Sequence, residues 1–144
     1  MSRKKVIILL LLICIIAIAA SVLFAINKRH TDWVVDAYIA ALENAKTHFS
    51  DYRTTGSDSS YTKGVTSLND AVQIILTEGE RLDIYQERQT LLASYNILSA
   101  HPSSVDENIP MLLSALDRII NEPKKRVFYC ELLDFYNTVN HTTD

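Results

Sequence analysis

Four histidines are the side chains best suited to metal or acid–base chemistry, and they lie far apart in the sequence, at His30, His48, His101 and His141. A metal site would therefore need the fold to gather them. The sequence contains no paired-cysteine motif, no His-Glu-x-x-His motif and no glycine-rich phosphate loop. It also shows no strand–turn–helix context for a nucleophilic serine. These observations predict a non-enzymatic protein that uses no metal and no cofactor.

Acidic side chains are concentrated between positions 78 and 87. Such a cluster could hold a cation or supply an acid–base pair, or it could be the solvated face of a helix. Two arginines lie among the carboxylates at spacings that form weak helical ion pairs, which favours the solvated face. The residues concerned are Glu78, Glu80, Arg81, Asp83, Glu87 and Arg88.

Three consecutive cations, Lys124, Lys125 and Arg126, open the last predicted helix. Cations at a helix N terminus face the positive end of the helix dipole, which costs a few tenths of a kcal/mol each. An unfavourable placement of this kind suggests a use, such as binding lipid phosphates or an acidic partner. The alternative is a solvated surface. We treat the three residues as a candidate lipid- or partner-binding patch.

Five tyrosines recur on the predicted helices and could in principle line a ligand cage. At helical spacing they are more typical of half-buried stripe residues whose hydroxyl groups reach solvent. They are Tyr52, Tyr85, Tyr95, Tyr129 and Tyr136.

The element that positions the rest of the chain is an uncharged segment, Val6–Ile26, which is 21 residues long. A bilayer core of about 30 Å needs roughly 20 apolar residues in a helix, so this segment is long enough to span a membrane. A cleaved signal peptide is the alternative, because Ala17-Ile18-Ala19 before Ala20 fits a small-x-small cleavage site. The apolar run continues beyond that site to Ile26, which favours an uncleaved anchor.

Positive charge on both sides of the anchor predicts its orientation. Arg3, Lys4 and Lys5 precede the segment, and Lys28 and Arg29 follow it. Because cationic flanks are retained in the cytoplasm, the more positive N-terminal flank predicts an N-inside, single-pass protein in the cell membrane. The predicted organisation is a cytoplasmic basic tail (1–5), a transmembrane anchor (6–26) and an extracytoplasmic helical domain (27–144).

Trp33 follows the apolar run by seven residues, about 10 Å along a continuing helix. A tryptophan at this distance is a candidate interfacial anchor. It could equally pack against the edge of the domain core.

Charge is divided unevenly along the chain. All 17 acidic residues but only nine of the 14 Lys and Arg lie in residues 31–144, so this part carries a net charge of −8. A negative domain is a poor candidate for nucleic-acid binding, which needs a basic face, and we expect no nucleic-acid partner. Its single cysteine, Cys130, leaves no disulfide within the domain, whose stability must then come from helix packing.

Apolar stripes at three- and four-residue steps predict about four helices after the anchor. The first is expected at 32–52, and no Gly or Pro separates it from the anchor. A loop is predicted at 54–64, which is rich in Ser, Thr and Gly. A long helix should then run from about Val65 to Ser99, with Gly79 as its weakest point.

His101-Pro102 should end the long helix, since a residue before proline disfavours helical dihedrals. Either Ser104 or Asn108 could cap the next helix, which carries a stripe from Ile109 to Ile120. Asn121 is the predicted cap of the last helix. The sequence thus predicts an all-α protein, with one transmembrane helix followed by an antiparallel bundle.

Near the C terminus stands the pattern Phe128-Tyr129-x-Glu131-x-Leu133-x-x-Tyr136-Asn137-Thr138, and upstream His101-Pro102 is followed by Glu107-Asn108-Ile109. Both segments, together with the order of anchor and helices, resemble the LemA family of bacterial membrane proteins. The match covers about 40 residues at the C-terminal end, and the family's Arg-Arg and Asp-Leu-Ile-Pro-Asn-Leu segment has no counterpart between Trp33 and Ser99. The resemblance implies a membrane-anchored helical bundle without a cofactor.

These features predict a non-enzymatic interaction or scaffold module that docks another envelope protein. Two alternatives stay open. The bundle could bind a small molecule or lipid in a cavity between its helices, or the protein could be secreted after signal-peptide cleavage.

Overall fold

The computed structural model describes residues 3–84, 87–100, 102 and 105–142. Within these ranges the chain is helical, with no strand. It divides into two compact units, unit one at Met1–Trp33 and unit two at Val34–Asp144. The helices are α1 (Arg3–Thr55), α2 (Asp58–Leu82), α3 (Arg88–Ala100), a short 3₁₀ helix (Asp106–Asn108), α4 (Ile109–Asn121) and α5 (Arg126–Thr142).

Unit one consists of the first part of α1 and exposes its apolar side chains. Every large apolar side chain described between Ile7 and Ile26 is more than half exposed, and Phe24 is 73 % exposed. The helix is long and apolar enough to cross a membrane, a property that a signal sequence also has. The predicted apolar helix is confirmed. The expectation that helix continues from it into the first amphipathic stripe is also confirmed, because α1 has no break.

Unit two has its own hydrophobic core. The stripe predicted for the first amphipathic helix is buried, with Val34, Tyr38, Leu42 and Phe49 at most 1 % exposed. Helix α3 packs against both α2 and α5, and α4 packs against α5. In the described part of the chain, no buried side-chain nitrogen or oxygen lacks a hydrogen-bond partner. The core is therefore formed by helix packing, as the absence of a domain disulfide requires.

The predicted loop at 54–64 is wrong, because only Gly56 and Ser57 separate α1 from α2. Gly56 takes the left-handed conformation (φ 66°), and the Ser57 hydroxyl accepts a hydrogen bond from the Ser60 backbone N–H. The segment is helical because it packs: Tyr61 is 8 % exposed and its ring lies 5.8 Å from that of Phe49. Tertiary packing overrides the low helix propensity of Ser, Thr and Gly.

The predicted long helix from Val65 to Ser99 is also wrong, since α2 ends at Leu82 and α3 begins at Arg88. The break lies at Asp83, which adopts a left-handed conformation (φ 58°). Asp83 N–H donates to Glu80 O (3.3 Å) and Ile84 N–H donates to Gly79 O (3.2 Å), the pattern of a Schellman motif. Ile84 is buried beyond the turn. Gly79 itself stays inside α2.

The ends of α4 were predicted in part. Asn108 occupies the position before α4 and Pro110 lies in its first turn, as predicted, but the Asn108 side chain makes no capping hydrogen bond. The alternative cap, Ser104, lies outside the described residues. Asn121 does not cap the last helix. It is the final residue of α4, and its side-chain amide donates to Asp117 O (2.8 Å), so α5 begins only at Arg126.

Candidate functional site

In the part of the chain that the structure describes, the side chains suited to metal or acid–base chemistry do not come together as a metal site. Among the described residues, no group of three His, Cys, Asp or Glu side chains could hold a metal ion. The acidic cluster is divided among separate structural roles: Glu78 pairs with Arg81 (3.0 Å), Asp83 terminates α2, and Glu87 pairs with a residue of α5. His101 and Tyr85 lie outside the described residues.

The Trp33 side chain is largely exposed. Trp33 is 66 % exposed, and its ring lies 6.1 Å from that of His30, whereas Val34 beside it is 1 % exposed. Both positions predicted for Trp33, the edge of the domain core and the membrane interface, stay predictions.

The three predicted cations form a turn rather than the start of a helix. Lys124 and Lys125 lie in the connection before α5, and Arg126 is its first residue. We call residues 122–126 the basic turn. Lys125 Nζ lies 3.1 Å from a Glu122 carboxylate oxygen, and Arg126 Nε lies 3.5 Å from a Glu87 carboxylate oxygen. Two of the three charges thus face carboxylates of the protein, while the Lys124 side chain is exposed.

A buried pair of tyrosines holds this turn to the first helix of unit two. The hydroxyl oxygens of Tyr38 and Tyr129 are 3.0 Å apart, and the Tyr129 hydroxyl donates to the Pro123 carbonyl (2.9 Å). A tyrosine has one hydroxyl proton, and that of Tyr129 is directed to Pro123. Tyr38 must therefore be the donor to Tyr129. We call this chain of two hydrogen bonds the tyrosine relay.

Burial governs the acidity of the tyrosine relay. Burial raises the pKa of Tyr129 to about 12, despite the hydrogen bond from Tyr38, which lowers it. Burial likewise raises the pKa of Tyr38 well above its ordinary value, and the negative charge of Glu87 acts in the same direction. The prediction that the Tyr129 hydroxyl reaches solvent is wrong, since the residue is 1 % exposed.

The tyrosine relay also places the basic turn within unit two. Tyr38 lies four residues after Val34, so the basic turn lies at the end of unit two where the chain enters from the apolar segment. Tyr52 lies fourteen residues further along α1, about 21 Å along the helix axis. Unit two thus has an entry end at Tyr38 and a far end at Tyr52.

An aromatic cluster occupies the far end. The Tyr61 ring lies 4.9 Å from that of Tyr52, and the Tyr61 hydroxyl donates to the Leu98 carbonyl (2.6 Å). The Tyr52 hydroxyl donates to Asp106, and this hydrogen bond raises the pKa of Tyr52 to about 12. The half-buried position predicted for Tyr52 is confirmed.

A groove of about 510 Å³ lies beside this cluster, between α2 and α3, and it is open to solvent rather than enclosed. Its threonine hydroxyls donate to backbone carbonyls of their own helix, Thr62 to Asp58 O and Thr66 to Thr62 O, both at 2.9 Å. The charged group among its described lining residues is the Asp58 carboxylate. The lining includes Asp58, Tyr61, Thr62, Val65, Thr66 and Leu98.

Sequence reasoning missed this groove. The sequence predicts a loop at 54–64 and therefore does not place Asp58, Tyr61 and Thr62 on a helix face. The missed signal is the four-residue spacing of Asp58, Thr62 and Thr66, which puts all three on one side of a helix.

No family model, no curated protein and no solved structure matches the chain. The resemblance of the C-terminal end to the LemA family stays a prediction.

Proposed function

We propose that this protein is a single-pass, membrane-anchored helical module that acts by binding another protein of the cell envelope, without enzymatic activity. The observation that carries the proposal is the contrast between the two units. Large apolar side chains are exposed in unit one between Ile7 and Ile26, whereas unit two buries its stripes in a core of its own. One part is suited to lipid and the other to water.

The size of the exposed apolar surface supports a membrane location. Twelve large apolar side chains from Ile7 to Ile26 are each more than half exposed. Complete burial of one such side chain contributes about 1.5–3 kcal/mol. Summed over the segment, this exceeds the net stability of about 5–15 kcal/mol of a typical domain. A bilayer offers the burial that unit one lacks.

For unit two we infer an antiparallel bundle in which successive helices alternate in direction. The contact of Tyr52 near the end of α1 with Tyr61 near the start of α2 supports this arrangement. The hydrogen bond from Tyr61 to Leu98, near the end of α3, supports it again. The ion pair between Glu87 and Arg126 joins the starts of α3 and α5, as expected for helices two apart.

A binding role is favoured over the alternative of a small-molecule or lipid carrier. Ligand sites are usually enclosed and place several polar groups around the ligand. The groove between α2 and α3 is the observation that favours a carrier. The groove is open, however, and its threonine hydroxyls donate hydrogen bonds to backbone carbonyls of α2. It offers one carboxylate, that of Asp58, to orient a ligand.

The basic turn is proposed as the part of unit two that meets lipid headgroups or a partner near the membrane. Only residues 27–33 separate the apolar segment from Val34, so covalent geometry keeps Val34 within about 28 Å of Ile26. We expect Lys124→Glu to reduce crosslinking to a photoactivatable phosphatidylglycerol in vesicles. Lys63→Glu, another exposed lysine, is the control. Equal crosslinking of the two variants would contradict the role of the basic turn.

Protease accessibility of a tag placed after Asp144 tests the anchor and its orientation. In cells with a permeabilised outer wall or membrane, we expect the tag to be digested while the protein stays in the membrane fraction after carbonate extraction. A protected tag would place unit two in the cytoplasm. Release of the protein, with a new N terminus near Ala20, would instead establish the secreted alternative.

A further inference from the structure

We propose that the groove between α2 and α3 binds a short segment of a partner protein in which a Lys or Arg lies within a few residues of a large aliphatic or aromatic side chain. The proposal rests on the proposed function, a protein-binding module, and names the chemistry of the partner.

The shape of the groove favours a chain segment over a compact ligand. A small-molecule pocket buries most of its ligand, commonly 70–90 % of the ligand surface. An open groove cannot do so, whereas a peptide can lie along it and extend beyond both ends. Such binding presents successive side chains to a helical surface, as in other grooves that recognise peptides.

The lining of the groove favours an apolar anchor. Tyr61 and Leu98 are closely packed parts of the core, and Val65 is half-buried beside them. The hydrogen bonds made by Thr62 and Thr66 leave mainly their methyl groups for contact. An aliphatic or aromatic side chain placed here loses water without leaving a polar group unpaired.

The charge of unit two and of the groove favours a Lys or Arg in the partner segment. Residues 34–144 carry 16 acidic and nine basic residues, a net charge of −7. Asp58 lines the groove, Asp106 lies beside Tyr52 at the same end, and the described lining contains no cation. Arg53 lines an adjoining hollow with Asp106. A cationic segment is therefore attracted over a distance and then meets Asp58 at the groove, whereas an acidic segment is repelled.

The groove and the basic turn lie at opposite ends of unit two. The groove lies at the far end of unit two, as defined by Tyr52 and Tyr61 on α1 and α2. The entry end carries the basic turn instead. The two ends thus differ in charge.

The test is a selection on the full-length protein in phospholipid nanodiscs, using a phage-displayed library of random dodecamers and counter-selection on empty nanodiscs. We expect enriched peptides to combine Lys or Arg with Leu, Ile, Val or Phe. The enriched peptide is then synthesised with a fluorophore, together with one version whose apolar residues are Gln and one whose cations are Glu. Fluorescence anisotropy measures the affinity of each peptide.

Matched variants assign the binding to the groove. Thr66 and Thr138 are both exposed helical threonines that donate to the carbonyl four residues earlier, at 2.9 and 2.8 Å. We expect Thr66→Arg to weaken binding at least tenfold and Thr138→Arg to change it less than twofold. Asp58→Asn should weaken binding three- to tenfold, whereas Asp58→Glu retains the charge and should stay within twofold of the parent. Asp134→Asn, which removes an exposed carboxylate of α5, should also stay within twofold.

Three results would overturn the proposal: no enrichment, enriched peptides without cations, or equal effects of Thr66→Arg and Thr138→Arg. Equal binding of the Gln-substituted peptide would show attraction by net charge alone and would overturn it as well. If Thr66→Arg fails to fold, the two Asp58 variants still decide the outcome. Because the selection uses purified protein, failure of the topology test leaves this result unaffected.

Discussion

The tyrosine relay predicts that Tyr38→Phe and Tyr129→Phe lower the free energy of unfolding by different amounts. Tyr38→Phe removes one hydrogen bond, but Tyr129 still donates to Pro123. A single hydrogen bond contributes about 0.5–1.5 kcal/mol, and we expect a loss of about 1 kcal/mol in the free energy of unfolding. Tyr129→Phe removes both hydrogen bonds. It also leaves the Tyr38 hydroxyl, on a fully buried residue, without an acceptor.

The Tyr38 hydroxyl, left without an acceptor, costs about 1–3 kcal/mol, and loss of the hydrogen bond to Pro123 costs about 1 kcal/mol more. We therefore expect Tyr129→Phe to lower the free energy of unfolding by about 2–4 kcal/mol. The double variant Tyr38→Phe/Tyr129→Phe removes the unpartnered donor as well. It should be no less stable than Tyr129→Phe alone, which corresponds to a coupling of about 1–3 kcal/mol between the two positions.

Urea unfolding of the full chain in detergent micelles, followed by near-ultraviolet circular dichroism, measures these differences. The slope of the free energy of unfolding against urea concentration should stay unchanged, because unfolding exposes the same surface in each variant. Tyr136→Phe is the control, since this tyrosine is only half-buried and lies outside the tyrosine relay. Equal losses for Tyr38→Phe and Tyr129→Phe, or strictly additive losses in the double variant, would refute the donor order deduced here.

Three further predictions concern pH and two backbone positions. Burial raises the pKa of Tyr38 and of Tyr129 above the ordinary value of about 10. The contribution of these two tyrosines to the free energy of unfolding should therefore be constant below pH 10, and it should fall by up to about 1.4 kcal/mol per pH unit for each tyrosine as the pH rises towards 12. Urea unfolding between pH 8 and pH 12 measures this fall. Asp83→Gly should raise the free energy of unfolding by about 0.5–1 kcal/mol, because glycine takes the left-handed conformation of this position (φ 58°) without steric cost. An unchanged or lower free energy of unfolding in urea would contradict this reason. Gly64→Ala should lower the thermal midpoint, because the new methyl group would lie 2.9 Å from the Phe49 ring. Such overpacking costs about 1–3 kcal/mol, which is more than the roughly 1 kcal/mol that alanine gains in helix propensity. A raised midpoint would show that the ring can move.

Local sequence information was sufficient for the apolar segment and for the apolar stripes. An uncharged run of 21 residues needs no knowledge of the fold, since length and composition determine whether it can span a bilayer. The stripes of α1, α4 and α5 follow from helical periodicity, because residues three and four apart share one face of a helix. Pro110 likewise indicated the start of α4 through its own fixed geometry.

The ends of α2 could not be read from residue types. Ser, Thr and Gly between positions 54 and 64 favour a loop locally, but packing of Tyr61 and Gly64 against Phe49 stabilises a helix there. Gly79 is the weaker helix former, yet the helix ends at Asp83, where burial of Ile84 stabilises the turn. In both places a contact between distant residues outweighs a propensity difference of about 1 kcal/mol.

The sequence by itself determined that the protein is helical, that its first segment is suited to a membrane and that its remaining part is acidic. The tertiary structure decided which polar groups meet. It directs the hydroxyls of Tyr38 and Tyr129 into the core, pairs Arg126 with Glu87, and brings Leu98 to the side of α2 that carries Asp58. These contacts join residues far apart in the sequence, and the relative positions of helices, which no local pattern encodes, determine whether they form.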